Sequence, residues 1–464
     1  MSQSPSSQRI SLSAPDMGAA ERRLLLETFD AGWVSSVGPM VERFEREFAA
    51  SVGLAHATAL SSGTAALHLA LTMLDLKPGD AVIAPSLTFI GGVAPILQAG
   101  AQPIFVDVEA DSWNLDPRLL DEAFARAGAE GLTVRAVVPA DLYGQCCDID
   151  AIRASADARG VPVILDSAEA VGATSNGRPA GQGAMAAAYS FNGNKIITTG
   201  GGGMLASDDG ELIARARYLA TAARQPAVHY EHTEVGFNYR LSSLSAAVGV
   251  AQLASLDARV LRRRAIFDRY VAALGDLPGV EFAPEVAGRR HTRWLTVIQL
   301  DPATAARQPA VHYEHTEVGF NYRLSSLSAA VGVAQLASLE ARVSRRRAIF
   351  DRYVAALGDL PGLGFAPEVA GRRHTRWLTV IQLDPAKAAV TPTVLMKALE
   401  AANIESRPAW KPMHLQPVFR AAPMIGSGVA ERIYERGLCL PSGSGLADAD
   451  IDRVCERVRK AFDH

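Results

Sequence analysis

An internal repeat with a period of 83 residues constrains the fold of this chain more than any other feature. The segment 220–303 recurs as 303–386, and only four positions differ between the two copies. The period is too long for the usual solenoid repeats, and there are only two copies. Each copy holds a polar loop, two helical patterns and a strand-like run, TRWLTVIQL. The repeat therefore indicates a tandem duplication of part of a domain, or an error in assembling the sequence.

The duplication predicts a surplus segment in the fold. The first copy follows the N-terminal part of the chain directly, and the second copy leads directly into the C-terminal part. We therefore expect a large domain over 1–245 and a small domain over 246–464, with TRWLTVIQL of the second copy in the small-domain sheet. The surplus piece is amphipathic, so without a partner it exposes an apolar face. We expect it to pack as an appendage, to swap between subunits or to drive aggregation.

Composition bounds the class of protein. A length of 464 residues suggests two domains, and 48% hydrophobic and 20% charged residues are ordinary for a globular protein. A net charge of −3 gives no reason to expect nucleic acid or an anionic membrane as a partner. The polar residues 1–18 do not resemble a secretory signal, and no apolar run is long enough to span a bilayer. The four cysteines lack metal-ligand spacing, which predicts a reduced, cytoplasmic setting and no metal.

Residues 61–186 alternate short apolar runs with helical stretches, which is typical of a parallel sheet covered by helices. The strand candidates DAVIAPS, QPIFVDV, VRAVVPAD and VPVILDSA are apolar almost throughout, as expected for strands buried on both faces. Ligands of such sheets bind beyond the carboxyl ends of the strands. The pattern predicts an α/β fold with its site at those ends, followed by a smaller C-terminal α/β domain.

Two segments at these ends point to a bound anion and a bound cation. In SSGTAALHLAL, Gly63 and Thr64 open a helix, where free backbone N–H groups can bind a phosphate; an ordinary N-cap is the alternative. Asp166 ends a buried strand, where a carboxylate needs a cationic or hydrogen-bonding partner. In enzymes that use pyridoxal phosphate, such an aspartate pairs with the pyridinium nitrogen. The alternative is a capping aspartate in a strand-to-helix turn.

Lys195 is the best candidate for a lysine that forms a Schiff base. Such a lysine needs a shielded pocket in which its amine can lose its proton and attack. Of the six lysines, Lys195 alone lies in a segment, SFNGNKIITTGGGG, whose small residues suit close approach of the backbone to a cofactor. Lys411, in AWKPMH, is the one serious rival.

Taken together, these motifs resemble those of the DegT/DnrJ/EryC1/StrS family of sugar aminotransferases. The resemblance implies the pyridoxal-phosphate fold-type I (aspartate aminotransferase-like), with a large mixed or parallel sheet domain and a smaller α/β domain. It covers the chain from about residue 10 to the C-terminus and is carried by VGPMVERFEREFA, SSGTAALHLAL, PSLTFIGG, DLYGQ, LDSAEA, SFNGNKIITTGGGG and GFNYRLS. The segments HYEH and SRPAWKPMHLQPVF favour the branch that acts on UDP-4-keto-6-deoxy-N-acetylglucosamine.

The resemblance also implies a role for each matching residue of the cofactor site. Lys195 would form the Schiff base with pyridoxal 5'-phosphate and then move the reaction's proton. A lysine here favours transamination, because some relatives with histidine are dehydratases. The remaining roles are phosphate binding by Gly63, Thr64 and Ser190, ring stacking by Phe89, pairing with the pyridine nitrogen by Asp166, and contact with the ring hydroxyl by Glu169.

In the family, the asparagine of GFNYRLS binds the phosphate of the neighbouring subunit, which implies a homodimer with shared active sites. The duplication offers two candidates, Asn238 and Asn321, and we expect Asn238 of the first copy to fill the role. Trp410, Lys411 and His414 resemble positions on the substrate side, although a structural loop would also explain them. The two histidines of HYEH, without further ligands, do not predict a metal site.

The resemblance implies transfer of an amino group from L-glutamate to C4 of a nucleotide-linked 4-keto-6-deoxy sugar. One alternative is another fold-type I chemistry, such as a desulfurase or a decarboxylase. A second is a protein that binds pyridoxal phosphate without turnover because the duplication has inactivated it. Sequence does not fix the nucleotide, the sugar or the stereochemistry of the new amine, since one scaffold serves several substrates.

Overall fold

The computed structural model describes residues 11–301 and 315–463. These residues form two compact units. The first unit comprises the described residues of Met1–Thr221 and Phe237–Leu327, and the second those of Ala222–Gly236 and Ser328–His464. This division differs from the boundary predicted after residue 245. The helix that crosses that boundary, Ser243–Leu253, is buried against helices Ala19–Asp30 and Pro39–Ser51, so it belongs to the first unit.

The strands of the first unit are short, and those of its central sheet are mostly buried. They are β1 (His56–Leu60), β2 (Asp80–Pro85), β3 (Gln102–Val106), β4 (Thr133–Val137), β5 (Ile164–Asp166), β6 (Thr174–Ser175), β7 (Arg178–Pro179), β8 (Ala186–Ser190), β9 (Gly203–Ser207), β10 (Val280–Phe282), β11 (Arg289–Arg290) and β12 (Ile298–Leu300).

The central sheet is mixed. β2 pairs in parallel with β3 and β4, and β5 pairs in parallel with β8. Isolated parallel bridges, Val137 with Val163 and Ala140 with Asp166, join the β4 side to β5. β9 runs antiparallel to both β8 and β1, which gives the order β3-β2-β4-β5-β8-β9-β1. The four predicted strand runs are β2 to β5, so the predicted parallel core of the sheet is confirmed.

Helices cover this sheet, and their ends follow ordinary capping rules. Ser62 caps one of them by accepting a hydrogen bond from Ala65 N at 3.0 Å, and Pro39 opens another at a position that needs no N–H donor. The helices of the first unit are α1 (Ala19–Asp30), α2 (Pro39–Ser51), α3 (Gly63–Thr72), α4 (Ala94–Gln98), α5 (Leu120–Ala129), α6 (Ile149–Asp157), α7 (Gly210–Ala220), α8 (Ser243–Leu253) and α9 (Leu256–Leu274).

Within the described ranges, no single helix is long and apolar enough to cross a membrane. α8 and α9 reach the required length and composition only as a pair, and the pair is bent by 65°.

The second unit has its own core around an antiparallel sheet. The helix α10 (Ser326–Ala337) precedes this core in the chain. The elements are α11 (Leu339–Leu357), β13 (Leu363–Phe365), β14 (Thr379–Leu383), α12 (Pro392–Glu400), β15 (Arg407–Pro408), α13 (Val429–Arg436), β16 (Gly437–Leu440) and α14 (Asp448–Phe462). The sheet order is β13-β14-β16-β15, so TRWLTVIQL of the second copy joins the small-domain sheet through β14, as predicted.

The two copies of the repeat bury different parts of the same sequence. The first copy buries almost all of α8, whereas its equivalent in the second copy, α10, has no buried residue. The second copy instead buries one face of α11, where Tyr353 is inaccessible to solvent, while the equivalent Tyr270 of α9 is half-exposed. The first copy therefore buries the first helix of the repeat, and the second copy buries one face of the second helix.

Candidate active site

A pocket in the first unit lies where α3 begins and where β5 and β8 end. This is the edge at which a parallel sheet binds ligands. The pocket brings together most of the residues that the sequence singled out. They are Gly63, Thr64, Phe89, Asp166, Glu169, Ser190, Lys195 and Asn321.

The first turn of α3 forms one wall of the pocket. Ser62 caps the helix, so the predicted N-cap is present, and Gly63 and Thr64 face the pocket at the same helix end. The first N–H groups of a helix have no partner within the helix, and the helix dipole is positive there, which suits a phosphate. A Cβ on Gly63 would lie 3.1 Å from Ser190 Cβ and 3.2 Å from Tyr189 O. Glycine thus lets the helix begin tightly against the end of β8.

Asp166 provides a buried carboxylate at the end of β5. Its Oδ1 accepts a hydrogen bond from Ala168 N at 3.1 Å. Burial raises the pKa of Asp166 to about 7, because the charged form loses its solvation. The backbone passes so close that a Cβ on Gly92 would lie 2.7 Å from Asp166 Oδ2. A cationic ring nitrogen placed against this carboxylate would compensate for the burial.

Lys195 is the one amine among the described residues that line the pocket. Its Nζ lies 3.3 Å from Glu169 Oε1 and 3.8 Å from the centre of the Trp294 ring. The Lys195 side chain is only 13% exposed, so the amine is shielded as the sequence predicted. Trp294 is held in place because its Nε1 donates to Asn194 O at 2.7 Å. The carboxylate and the aromatic face both stabilise a cationic amine and fix its position.

Glu169 is fixed by a second contact. Its Oε2 accepts a hydrogen bond from Tyr143 N at 2.7 Å, while Oε1 faces Lys195. Tyr143 has a positive φ of 54°, a conformation that costs energy for a residue other than glycine. The turn after β4 is thus shaped to aim a backbone N–H at this carboxylate.

The predicted asparagines take different positions. Asn321 of the second copy lines the pocket, whereas Asn238 of the first copy forms an isolated antiparallel bridge with Thr221. Within the single chain the pocket therefore receives Asn321 and not Asn238. The role expected for Asn238 in a neighbouring subunit stays a prediction.

The predicted substrate residues belong to the second unit. Lys411 Nζ lies 2.7 Å from Glu231 Oε2, and this bond, with that from His229, lowers the pKa of Glu231 to about 2. His414 Nε2 lies 2.7 Å from Glu431 Oε1. Trp410 is 60% exposed, and its ring meets that of Trp377 at 5.9 Å. The roles of Trp410, Lys411 and His414 toward a substrate stay predictions.

The HYEH segment of the first copy makes ordinary polar contacts. His229 Nε2 lies 2.9 Å from Glu231 Oε2, and His232 Nδ1 lies 2.9 Å from Ala222 O. In the second copy, all of this segment but His315 lies outside the described residues.

Several residues that line the pocket have no role predicted from the sequence. Trp294 carries no local signal, because the same triplet, TRW, ends at Trp377 in the second copy, where the ring is 55% exposed. Asp141 ends the predicted strand VRAVVPAD, at the edge of the sheet where the site is expected, but the sequence predicts no specific role for it. It is buried, accepts hydrogen bonds from Ser167 Oγ at 2.6 Å and Cys147 N at 2.9 Å, and its pKa is raised by burial. The pocket is also lined by residues that lie inside the predicted motifs but have no predicted role of their own: Thr88, Gly91, Gly92, Asn192 and Asn194.

The pocket fits pyridoxal phosphate, the cofactor that the resemblance implies. The amine of Lys195 suits its aldehyde, the buried Asp166 suits a pyridinium nitrogen, and the N-terminus of α3 suits its phosphate. Phe89 is 58% exposed and lines the same pocket, where it can stack on a ring.

Comparison with known proteins agrees with this geometry. The chain is 38% identical over 459 residues to EpsN of Bacillus subtilis (strain 168), named as a pyridoxal phosphate-dependent aminotransferase; the match covers 98% of this chain and 96% of EpsN. It is 34% identical over 446 residues to a GDP-perosamine synthase of Caulobacter vibrioides, with 96% of each chain covered. The crystal structure of the aminotransferase TlmJ of Streptoalloteichus hindustanus superposes with a TM-score of 0.57 at 26% identity, covering 98% of this chain and 99% of TlmJ.

The family profile that matches is the DegT/DnrJ/EryC1/StrS aminotransferase family, and it matches twice, over residues 15–312 and 304–459. The two matches overlap inside the repeat, as expected if part of one family domain has been duplicated. The fold is fold-type I, and the cofactor is pyridoxal phosphate. The chain belongs to the DegT/DnrJ/EryC1/StrS aminotransferase family of pyridoxal phosphate-dependent sugar aminotransferases.

Proposed function

We propose that this protein transfers an amino group from L-glutamate to C4 of a nucleotide-linked 4-keto-6-deoxy sugar. The observation that carries the proposal is the convergence of the Lys195 amine, the buried Asp166 carboxylate and the N-terminus of α3 in one pocket. Pyridoxal phosphate, when bound, supplies an electron sink for the reacting amino carbon. The chain supplies the binding groups, the proton transfer and the exclusion of water.

The residues around the pocket divide these tasks. Lys195 Nζ holds the cofactor and carries the proton between the two carbons that exchange the amino group. Glu169 and Trp294 keep that amine in place, at 3.3 Å and 3.8 Å. Asp166 would keep the ring nitrogen protonated. Its carboxylate is then charged, because the cation beside it stabilises the ionised form. The first turn of α3, with Asn321, binds the phosphate.

We propose UDP-4-keto-6-deoxy-N-acetylglucosamine as the substrate. The proposal is supported by the segments HYEH and SRPAWKPMHLQPVF. Trp410, Lys411 and His414 would bind it, since an ammonium and an imidazole suit a diphosphate and an exposed indole suits a sugar or base. A GDP-linked sugar is the competing substrate, because GDP-perosamine synthases are among the relatives.

The position and burial of the cysteines argue against a desulfurase. A desulfurase needs an accessible, reactive thiol, and among the described residues that line the pocket there is no cysteine. Burial raises the pKa of the Cys146 and Cys147 thiols, which keeps them protonated and unreactive. Cys439 and Cys455 are buried as well.

The test is incubation of the holoenzyme with L-glutamate and a panel of UDP-, dTDP- and GDP-linked 4-keto-6-deoxy sugars, with 2-oxoglutarate as the readout. We expect 2-oxoglutarate to accumulate with the UDP-linked N-acetylamino sugar, and the sugar product to gain an amine by mass spectrometry. Turnover with GDP sugars alone would reassign the nucleotide. Failure with every sugar, despite bound cofactor, would support an inactive binder.

Two lysine variants serve as matched controls. Lys195→Ala should abolish both 2-oxoglutarate formation and the visible absorbance of bound cofactor, because the amine that holds the cofactor is gone. Lys411→Ala should keep that absorbance and raise KM for the sugar. The reverse pattern would show that the rival lysine holds the cofactor.

A further inference from the structure

The two copies of the segment Phe-Asn-Tyr keep the same local structure. The rings of Phe237 and Tyr239 stack at 4.9 Å with an angle of 19° between their planes. The rings of Phe320 and Tyr322 stack at 4.8 Å, also at 19°. These are equivalent residues of the repeat, so each copy has formed the same small aromatic unit.

The contact between the two aromatic units joins equivalent residues. Tyr239 OH lies 3.1 Å from Tyr322 OH, and the ring centres are 6.3 Å apart. In a two-fold symmetric interface, a residue on the axis meets its own equivalent. The contact of Tyr239 with Tyr322 has this property inside one chain. The two segments therefore face each other as the same segment from two subunits would.

Each of the two aromatic units is connected to the pocket. Tyr239 OH also lies 3.1 Å from Nδ1 of the buried His68, on the helix α3 whose first turn lines the pocket. On the second copy, Gly319 O accepts a hydrogen bond from Gln98 Nε2 at 2.8 Å, and Asn321 lines the pocket itself. Asn238, by contrast, lies in the bridge with Thr221.

We infer that the second copy acts as a built-in substitute for a partner subunit. Its segment Phe320–Tyr322 takes, within one chain, the place that Phe237–Tyr239 of a second chain would take, and the Asn321 amide completes the anion-binding end of the pocket. For its ligand, the phosphate of pyridoxal phosphate, the inference rests on the proposed function. An amide N–H is a good donor to a phosphate oxygen beside the free N–H groups of α3.

A homodimer with shared active sites is the competing arrangement. There, Asn238 of a second chain would occupy the pocket, and Phe320–Tyr322 would have to leave the same space. The two arrangements therefore predict different asparagines in the pocket, Asn321 in the first and Asn238 of a second chain in the other, although the local sequences of the two are identical. This gives a matched pair of variants, Asn321→Ala and Asn238→Ala, in the full chain.

The first test measures the dissociation constant of pyridoxal phosphate from the full-length chain by equilibrium titration. We expect Asn321→Ala to weaken binding about ten-fold or more, as for loss of a hydrogen bond to a charged group. Asn238→Ala should change it less than about two-fold. A loss confined to Asn238→Ala, an equal loss in both variants, or no loss in either would overturn the inference.

The second test does not depend on the cofactor. Oxidative coupling of tyrosines in the cofactor-free chain should produce dityrosine within the monomer band on a denaturing gel, and Tyr322→Phe should abolish it. Dityrosine found only in a dimer band, or retained in Tyr322→Phe, would overturn the inference. If the chain failed to bind pyridoxal phosphate but still formed the intrachain link, the proposed function would be wrong. The inference that the second copy takes the place of a partner subunit would still stand.

Discussion

The charged groups of the pocket are stabilised to different degrees. Lys195 has a carboxylate at 3.3 Å and an aromatic face at 3.8 Å, so its cation is compensated within the protein. Asp166 is buried with a pKa raised to about 7, so its negative charge is poorly compensated until a cation arrives. The protein thus maintains a carboxylate that a pyridinium nitrogen would stabilise.

This imbalance predicts a pH-dependent effect of Asp166→Asn on the cofactor-free chain. The pKa of Asp166 rises from 3.8 to about 7 on folding, so between these values the folded chain binds more protons than the unfolded chain. Stability therefore falls as the pH rises through this interval. Asn carries no charge, so at about pH 8 the variant should be more stable than the wild type by roughly 2–4 kcal/mol.

Urea unfolding at several pH values measures this difference. The advantage of Asp166→Asn should shrink as the pH falls and nearly vanish below pH 3.8, where the wild-type carboxyl is protonated in both the folded and the unfolded chain. The same variant should bind pyridoxal phosphate less tightly, because the ring nitrogen loses its counter-charge. A stability difference that does not change with pH would contradict the assigned environment of Asp166.

Most of the individual pocket residues could be predicted because strand ends and helix starts have local signals. Gly63 opens a helix after a capping serine, Asp166 ends an apolar strand, and Lys195 lies among small residues. Trp294 could not be predicted, since it is 99 positions beyond Lys195 and its local sequence is the same as that of the exposed Trp377. Its position over the amine depends on packing that local sequence does not encode.

Two helices of identical sequence, one in each copy of the repeat, differ in how deeply they are buried. α8 and α10 share the sequence SLSAAVGVAQL, yet Val250 of α8 is 2% exposed and the equivalent Val333 of α10 is 70% exposed. The helical pattern predicted both helices correctly. It could not predict which would be buried, because that depends on which copy packs against α1 and α2, and in the structure α8 does so.

The pair Val250→Ala and Val333→Ala tests this assignment. Val250→Ala should lower the free energy of unfolding by about 1.5–2.5 kcal/mol, since it removes buried methyl groups and leaves a cavity. Val333→Ala should change it by less than about 0.5 kcal/mol. Denaturant unfolding of the two variants gives both values. Equal losses would mean that α10 is packed as tightly as α8.

In the molecule as a whole, the duplication leaves apolar side chains exposed to solvent. Val333 and Leu336 of α10 are 70% and 68% exposed, on a helix that has no buried residue. The predicted exposed apolar face of the surplus segment is thus present. The predicted division into a large and a small domain differed at its boundary, because pairing of α8 with α1 and α2 is long-range and no local sequence marks it.

Such a surface should promote self-association at high concentration. Val333→Lys should lower concentration-dependent light scattering, while leaving the rate of 2-oxoglutarate formation within about two-fold of the wild type. Unchanged scattering would mean that α10 does not drive association. A variant that loses activity together with scattering would show instead that this face is needed for the active assembly.

The residue that carries the cofactor can be identified by chemical trapping. Reduction of the holoenzyme with sodium borohydride fixes the bond between the lysine and pyridoxal phosphate, and peptide mass spectrometry then locates it. We expect the reduced adduct on the peptide that contains Lys195, at full occupancy, and no adduct in Lys195→Ala. An adduct on Lys411, or none on a protein that transfers amino groups, would contradict it.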